Sequence, residues 1–442
     1  MNSLKAWQPS ASKRFPLAWI GCLVLVGIGI QLFLRQDNEW EKVFLPASAS
    51  LLSGDDIYVA GGAYLYPPFT AFATLPFLAL PHAACRLAFV GLNLLCVAFV
   101  VVSAWRLAGG RSLSSWSELL AALAGGSCGI FFIHNCLAHQ QTDIFIAALL
   151  IAGCLALSKG RSILAATGFG LAAAMKCTPL LWAPYLVWRG RPVAAAWLVA
   201  VALGANLLPD VVSRSPSDGI WLKRFATLYL VPLTDRNHVP GSWGSEIAYN
   251  QSISGAAQRW LLTTPRLRDG SYEVERTASV ENPMLMKSSV FGLEIALLAT
   301  AVVACGRPFQ RVSGQGRDAL EYSVVLTLML LLSPMSSVAH FGTLILPGFC
   351  LARRAFLGRD RVSTGILMAA VIAACASNKD LLGGNLYTLA LWSGCVMLTT
   401  LLLLAGCLRE LLLTKPATHC VAGNRTDGNE REFTPLADSP AA

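Results

Sequence analysis

The feature that most constrains this chain is a series of long apolar runs separated by short basic segments. A helix needs about 20 apolar residues to cross the hydrocarbon core of a bilayer. Only 13% of the residues are charged, against roughly 25% in soluble domains. We therefore predict an all-α polytopic membrane protein, a bundle of about 10–12 transmembrane helices with loops outside the membrane. The apolar runs lie at about 17–34, 83–105, 117–136, 142–158, 162–175, 178–188, 192–208, 288–305, 319–333, 338–352, 362–376 and 384–407.

The basic residues predict the orientation of the spans. Cytoplasmic loops are rich in Lys and Arg, and with a cytoplasmic N-terminus every predicted inner loop is basic. This agreement requires residues 162–188 to form a hairpin of two short helices that turns near Lys176 and Pro179. We predict residues 1–16 to be cytoplasmic, 17–415 to form the membrane domain, and 416–442 to be a disordered cytoplasmic tail, with the protein in the plasma or inner membrane.

The first apolar run has an alternative interpretation as a signal peptide. No small-residue cleavage site follows it, because the next residues are RQDNEWEK. We therefore take it as a retained first span. Three outer segments are then expected to be long or polar. They are a long loop at about 35–82, the polar segment 135–143, and a long loop at about 209–287, which is the third outer segment.

The composition excludes several other classes of protein. A formal net charge of +9 is explained by loops that face anionic lipid, and no basic stripe with interleaved aromatics indicates nucleic-acid binding. Most of the 13 cysteines lie inside apolar runs, which argues against a disulfide framework. No CxxC, HxxH or HxH spacing indicates a metal site, and we expect no bound cofactor.

The first outer loop carries carboxylates that could act as a general base. Asp37 and Glu39 emerge directly from the first span, where a carboxylate at the mouth of a membrane cavity could deprotonate an acceptor hydroxyl. The alternative is an ordinary solvated loop charge, which describes most surface carboxylates.

Lys176 is the most unusual ionisable residue of the chain. It lies in AAMKCTPL between two apolar half-helices, away from the basic loops. It either extends its ammonium to the lipid headgroups or pairs with a phosphate, and the cost of an intramembrane charge favours the phosphate.

Other polar residues near the outer helix ends have both structural and functional interpretations. Tyr66 is an interfacial anchor or a stacking surface for a sugar. Asp143 caps a helix or binds a substrate. Asn250 and Arg259 lie in the third outer segment, and His340 follows a break in a span at Ser333-Pro334.

Taken in this order, these segments resemble glycosyltransferase family 87, the polyprenol-phosphate-mannose-dependent mannosyltransferases of the GT-C superfamily. The resemblance covers about residues 17–350. Its motifs are LSGDDIY at 52–58, YPPF at 66–69, QTD at 141–143, the stretch from Ala165 to KCTP at 176–179, NQS at 250–252, and the Ser333-Pro334 to His340 stretch.

The resemblance implies a GT-C-like bundle and an inverting sugar transfer on the extracytoplasmic side. The donor would be a polyprenyl-phosphate-linked sugar, and the acceptor a lipid or glycan hydroxyl. The family usually has an aspartate in the first outer loop and an asparagine where Asp143 stands, so this chain departs from the pattern twice. The implied roles are base for Glu39 or Asp37, phosphate binding for Lys176, His340 and Arg259, and substrate binding for Tyr66, Gln141, Asp143, Asn250 and Gln251.

Two other functions would use the same lipid-phosphate site. A lipid flippase or transporter would need no base, but the chain shows no internal repeat. A ligase that moves whole polysaccharide chains typically has its large outer loop late in the chain, whereas here the longest is mid-chain. A purely structural membrane protein would have no use for Lys176.

Overall fold

A computed structural model of the chain describes residues 27–414 except 36–37, 60–63, 112, 218, 235–246, 279–282, 307 and 309–315. Most of these residues are helical, which confirms the predicted all-α membrane architecture. The helices are α1 (Leu45–Ser53), α2 (Pro68–Leu78), α3 (His82–Leu107), α4 (Trp116–His139), α5 (Asp143–Ser158), α6 (Ser162–Met175), α7 (Trp182–Trp188), α8 (Pro192–Leu207), α9 (Pro209–Val212), α10 (Trp221–Phe225), α11 (Val231–Thr234), α12 (Ile253–Leu262), α13 (Pro283–Cys305), α14 (Arg317–Leu331), α15 (Ile345–Phe356), α16 (Arg361–Cys375), α17 (Lys379–Ser393) and α18 (Cys395–Leu413).

Irregular helical turns and one β-hairpin complete the described fold. Two of these turns, the 3-10 helices Thr178–Leu181 and Val338–Leu344, border the candidate site. The antiparallel strands β1 (Thr263–Arg268) and β2 (Ser271–Arg276) lie in the third outer segment. That segment was expected as a loop, but its described part contains these strands and the helices α9, α10, α11 and α12.

Five helices of the described chain are long and apolar enough to cross a membrane. A sixth span is possible if α16 and α17, which meet at 88°, count as one bent unit. The predicted 10–12 spans also include shorter apolar helices and the first run, of which residues 27–34 are described. The predicted terminal segments 1–16 and 416–442 lie outside the described residues. The five spans are His82–Leu107, Trp116–His139, Pro192–Val212, Met284–Cys305 and Cys395–Leu413.

The predicted hairpin at residues 162–188 is confirmed. α6 ends at Met175, and the chain turns through Lys176 before the 3-10 helix Thr178–Leu181. The beginning and end of this hairpin lie close together, because Arg191, three residues after it, donates a hydrogen bond to Ser162 Oγ at 2.7 Å. Lys176 therefore lies at the opposite end of the bundle from Arg191, as the alternation of basic loops requires.

The end of the bundle that carries the basic loops contains a buried charge network. Glu321 is fully buried and accepts hydrogen bonds from Arg189 Nε at 2.9 Å and from the Tyr185 hydroxyl at 3.1 Å. Arg317, one turn earlier on α14, lies 3.4 Å from the same carboxylate. Buried charges need such partners. Arg189 therefore joins the end of α7 to α14, and Arg317 adds a second charge partner within α14.

Close packing of α4 against α15 depends on glycines. A Cβ added at Gly125 would lie 2.8 Å from the carbonyl oxygen of Gly348, and one at Gly129 would lie 2.7 Å from the Ile345 nitrogen. Small residues allow membrane helices to approach closely. This contact fixes the start of α15, and with it the preceding turn that carries His340.

Gly125→Val is expected to destabilise the bundle by about 1–3 kcal/mol, because the added side chain collides with backbone rather than with a flexible side chain. The measurement is the thermal unfolding midpoint in detergent. Gly204→Val is the matched control, since an added Cβ at Gly204 meets no atom within 4 Å. Equal midpoints for the two variants would contradict the inferred contact.

Candidate active site

The helix ends opposite the basic loops surround a cavity of about 820 Å³, a size typical of small-molecule sites. Most of its wall is apolar, with contributions from Leu181, Met329 and Leu332. Its polar lining contains the following predicted site residues: Glu39, Tyr66, Gln141, Lys176 and His340. The fold therefore brings together residues that are up to 301 positions apart in the sequence.

Glu39 is held in place by its neighbour Trp40. The Trp40 ring is 2% exposed and stacks on Phe89 with ring centroids 3.9 Å apart. The Glu39 side chain faces the cavity, where its Oε1 accepts a hydrogen bond from Gln141 Nε2 at 2.7 Å. Asp37, the other predicted base, lies outside the described residues.

The pKa of the Glu39 carboxyl is raised above its ordinary value of 4.5 by burial. The hydrogen bond from Gln141 opposes that rise, and the charges of Asp143 and Lys176 act on it in opposite directions. A partly buried carboxylate with a raised pKa is a stronger base than a solvated one, which favours acceptance of a proton from a hydroxyl.

Lys176 forms an ion pair with Asp143. Lys176 Nζ lies 2.8 Å from Asp143 Oδ1, and the side chains are 17% and 5% exposed respectively. Lys176 lines the cavity, whereas Asp143 does not, so the carboxylate lies behind the ammonium. Burial disfavours a charged lysine and a close carboxylate favours it; Asp143 therefore keeps the cationic form in place while leaving two N–H donors for a ligand.

His340 approaches the same carboxylate. The backbone N–H of Ser337 donates to His340 Nδ1 at 3.0 Å. The proton of a neutral imidazole then resides on Nε2, which lies 3.7 Å from Asp143 Oδ1. Asp143 thus lies beside both cavity-facing residues, Lys176 and His340, that were predicted to bind phosphate.

Tyr66 lies over the lysine. Lys176 Nζ is 5.8 Å from the centroid of the Tyr66 ring, within the range of a cation–π interaction. Tyr64, two residues earlier, is joined to the start of α2, because its hydroxyl donates to the Pro67 carbonyl at 2.9 Å and accepts from the Ala71 N–H at 2.9 Å. The consecutive prolines 67 and 68 remove two backbone donors and begin α2 at this point.

Asn250 and Gln251 are buried outside the cavity lining. Asn250 Oδ1 accepts from the Ser336 N–H at 3.1 Å, and the Gln251 N–H donates to the Ser336 carbonyl at 2.8 Å. Gln251 Nε2 also donates to the Leu391 carbonyl at 2.8 Å. In the described structure these two residues fasten the third outer segment to the turn that precedes His340, so their contacts are those of positioning residues.

Arg259 is also fully buried away from the cavity lining. Its guanidinium donates to the carbonyl of Trp392 at 2.8 Å and to that of Asn250 at 2.6 Å. These contacts join α12 to the end of α17. Of the residues predicted to bind phosphate, Lys176 and His340 face the cavity in the described structure, Lys176 as an ammonium and His340 as a neutral N–H donor.

Sequence reasoning missed the pairing of Asp143 with Lys176, although a signal was present. Asp143 begins one predicted span and Lys176 ends the next, so an antiparallel layout places both at the same outer level. Ser337 and Tyr249 were also missed. Ser337 sets the orientation of His340, and Tyr249 lines the cavity; neither position has a distinguishing pattern.

Metal binding by a protein site requires three or four ligands in one place. Among the described residues, no group of three or more His, Cys, Asp or Glu side chains is arranged to hold a metal ion. The polar groups that face the cavity are suited to proton transfer and to anion binding.

Several helices are long enough to cross a membrane, and the cavity at their ends contains the carboxylate of Glu39 and the paired ammonium of Lys176. These features are those of a polytopic membrane enzyme. The family follows from comparison with known proteins. The model of glycosyltransferase family 87 matches residues 64–334, more than half of the chain, so the chain belongs to that family and is a membrane glycosyltransferase. The match includes Tyr66, Gln141, Asp143 and Lys176, and it begins after Glu39.

Comparison with solved structures gives a more distant similarity. The chain is similar to ArnT from Cupriavidus metallidurans, whose crystal structure was determined with bound undecaprenyl phosphate. The identity is 13%, the alignment covers 89% of this chain and 78% of ArnT, and the TM-score is 0.34. No curated protein matches the chain.

Proposed function

We propose that this protein transfers a sugar, mannose, from a polyprenyl-phosphate donor to a hydroxyl of a lipid or glycan acceptor. The observation that carries the proposal is that Glu39 and Lys176 face one cavity at the outer helix ends. A carboxylate and a cation in one cavity match the two requirements of the reaction, which are removal of a proton and stabilisation of a leaving phosphate.

The proposed reaction is a single displacement. Glu39 accepts the proton of the acceptor hydroxyl, and the hydroxyl oxygen forms a bond to C1 of the sugar. The bond between C1 and the phosphate oxygen breaks, and its electron pair leaves with the polyprenyl phosphate. One displacement inverts the configuration at C1, and no second nucleophile is needed.

Lys176 supports this reaction through charge. The negative charge on the phosphate grows as the bond to C1 breaks, and an ammonium placed at that oxygen stabilises the transition state more than the ground state. The neutral imidazole of His340 would add an Nε2–H donor to a phosphate oxygen. Asp143 remains behind Lys176 as its fixed counter-ion, which distinguishes its role from that of Glu39.

The donor lipid and the sugar are supported to different degrees. A phosphate-linked lipid suits the combination of Lys176 with an apolar cavity wall, and membership of family 87 supports transfer of a sugar. Mannose rests on the resemblance to mannosyltransferases. We also infer that the basic end of the bundle faces the cytoplasm and the cavity faces the extracytoplasmic side, because Lys and Arg concentrate in cytoplasmic loops.

The proposal is tested with purified protein, radiolabelled polyprenyl-phosphate-mannose and a membrane lipid extract as acceptor. Label is expected in a new product with the parent protein and to be absent with Lys176→Ala. Donor binding without transfer in any extract would contradict the transferase mechanism and favour a lipid-sugar flippase. Transfer that persists in Lys176→Ala would contradict the phosphate role of that residue.

The pH dependence of transfer follows from the raised pKa of Glu39. Because the base must be deprotonated, kcat/KM should fall as the pH decreases through that pKa, at a higher pH than the ordinary 4.5. Gln141→Leu removes a hydrogen bond that stabilises the carboxylate, so its acid limb should lie at a still higher pH. A pH profile of kcat/KM with a non-ionising acceptor measures both; an unchanged or lower acid limb in Gln141→Leu would contradict Glu39 as the base.

A further inference from the structure

The membrane span within α13, Met284–Cys305, contains a carboxyl group at its centre. Glu294 lies ten residues after the first residue of this span and eleven before the last, which is about 15 Å from either end at 1.5 Å per residue. In the five spans every other Asp, Glu, Lys or Arg lies within four residues of a span end. An ionisable residue at the middle of a membrane span is costly, and it usually has a functional role with a specific partner.

The described part of the chain contains no partner for this carboxyl group. No hydrogen bond or ion pair joins Glu294 to another described residue, and no charge among them acts on it. Lys287, the other charged residue of the span, lies seven positions earlier, about 10 Å nearer to the beginning of the span. An isolated carboxylate is unfavourable at this depth, so the group is a neutral carboxylic acid with one O–H donor and one carbonyl acceptor.

The surface of α13 beside Glu294 is open to the surroundings of the protein. Only 17% of the apolar stretch of this span is buried in the described structure, against 33–61% in the other four spans. Phe291, Leu298 and Val302 lie three, four and eight positions from Glu294, which places them on the same side of the helix. Their side chains are 62%, 40% and 37% exposed, whereas Leu297 packs against the bundle. Glu294 therefore lies at the edge of a stripe of exposed apolar side chains.

The spacing of this stripe suits packing against another membrane helix. Residues three and four positions apart form the seam of a left-handed helix pair, and most membrane bundles have that geometry. Lipid tails can cover the apolar side chains, but they offer no hydrogen bond to a carboxylic acid. A protein helix with a polar group at the same depth offers both kinds of contact.

A second copy of this chain would carry such a helix. Two copies in one bilayer that are related by a two-fold axis along the membrane normal have identical residues at identical depth. A carboxylic acid is self-complementary, because the O–H of each group donates to the carbonyl of the other, whereas an ammonium or a guanidinium group has donors alone.

We infer that two copies of this protein associate through α13, with their Glu294 carboxyl groups hydrogen-bonded to each other and their Phe291 and Leu298 side chains packed on either side. The association satisfies the polar group at the centre of the span and covers the exposed stripe around it. This inference concerns a surface away from the candidate active site and does not depend on the proposed sugar transfer.

The experiment measures association of the full-length protein in lipid vesicles. Copies with a donor fluorophore and copies with an acceptor fluorophore are reconstituted together at several ratios of protein to lipid, and energy transfer gives the dimer dissociation constant. Glu294→Leu removes both hydrogen bonds of the acid pair and should weaken association about 10- to 100-fold. Glu294→Gln keeps a donor and an acceptor at the same place, so its dissociation constant should stay within about threefold of the parent value.

A matched pair of leucines tests which side of the helix is used. Leu298→Ala shortens a side chain of the stripe and should weaken association about three- to tenfold, because packing contributes to the affinity of membrane helices. Leu293→Ala shortens a side chain that is 51% exposed on a different side of α13, and it should leave association unchanged.

Three outcomes overturn the inference. The parent protein stays monomeric at every ratio of protein to lipid, or it associates equally well as Glu294→Leu, or association is lost in Glu294→Gln as well as in Glu294→Leu. The last result would indicate that the residue binds a cation on another protein rather than its own copy. Unfolding midpoints establish that each variant is folded.

Discussion

Glu39→Gln is expected to reduce kcat for sugar transfer by about 10²–10⁴-fold, the usual contribution of a general base. The amide cannot accept the proton of the acceptor hydroxyl, yet it has nearly the same size and keeps an oxygen that can accept from Gln141. The fold and the affinity for the donor should therefore change little. Initial rates of label transfer, together with donor binding and the unfolding midpoint, measure the three properties.

Glu41→Gln is the matched control for this prediction. Glu41 lies two residues further along the same segment, where its carboxylate contacts Arg86 Nε at 2.9 Å, and it does not line the cavity. Its replacement should leave kcat within about threefold, because a partly exposed ion pair is worth about 1 kcal/mol or less. Full activity in Glu39→Gln would show that another group, with Asp37 as the first candidate, is the base.

Lys176→Met is expected to weaken binding of undecaprenyl phosphate by about 10- to 100-fold, the range for a lost hydrogen bond between charged groups. The variant also leaves the buried carboxylate of Asp143 without its ion-pair partner, so part of the loss reflects repulsion of the phosphate. Lys176→Arg preserves the charge and should bind more tightly than Lys176→Met, although a guanidinium fits a site built for a point charge less well.

Lys159→Met provides the control for a lost positive charge. Lys159 is exposed and follows α5 at the end opposite Asp143. Its replacement should leave the affinity for undecaprenyl phosphate unchanged. Equal losses in Lys159→Met and Lys176→Met would indicate that binding follows net charge alone, and would contradict a phosphate site at Lys176. Isothermal titration in detergent gives both values.

The ion pair with Asp143 explains how a largely buried lysine persists at this position. An isolated ammonium in an apolar surrounding is unfavourable, and the ion pair of 2.8 Å offsets that cost. The same contact fixes the direction of the Lys176 side chain, so the charge is in position before a ligand arrives. Such preorganisation is what electrostatic stabilisation of a leaving group requires.

The sequence by itself determined the membrane class, the family and the hairpin at residues 162–188. Long apolar runs indicate transmembrane helices because lipid offers no hydrogen bonds to the backbone, and a helix satisfies its own. The alternation of basic loops then placed Glu39, Gln141, Lys176 and His340 at one level of the bundle. These residues share one cavity because they lie at the same level of the bundle and because the helices that carry them pack closely.

The tertiary structure decided which of the outer polar residues face the cavity. Asn250, Gln251 and Arg259 have the composition of a binding site, yet each is buried in contact with backbone groups and holds segments together. The ion pair of Asp143 with Lys176 likewise depends on the distance between α5 and the turn after α6. These features are set by the direction of side chains and by interhelical spacing, which arise from contacts between distant residues, whereas hydrophobic periodicity reports only which residues enter the membrane.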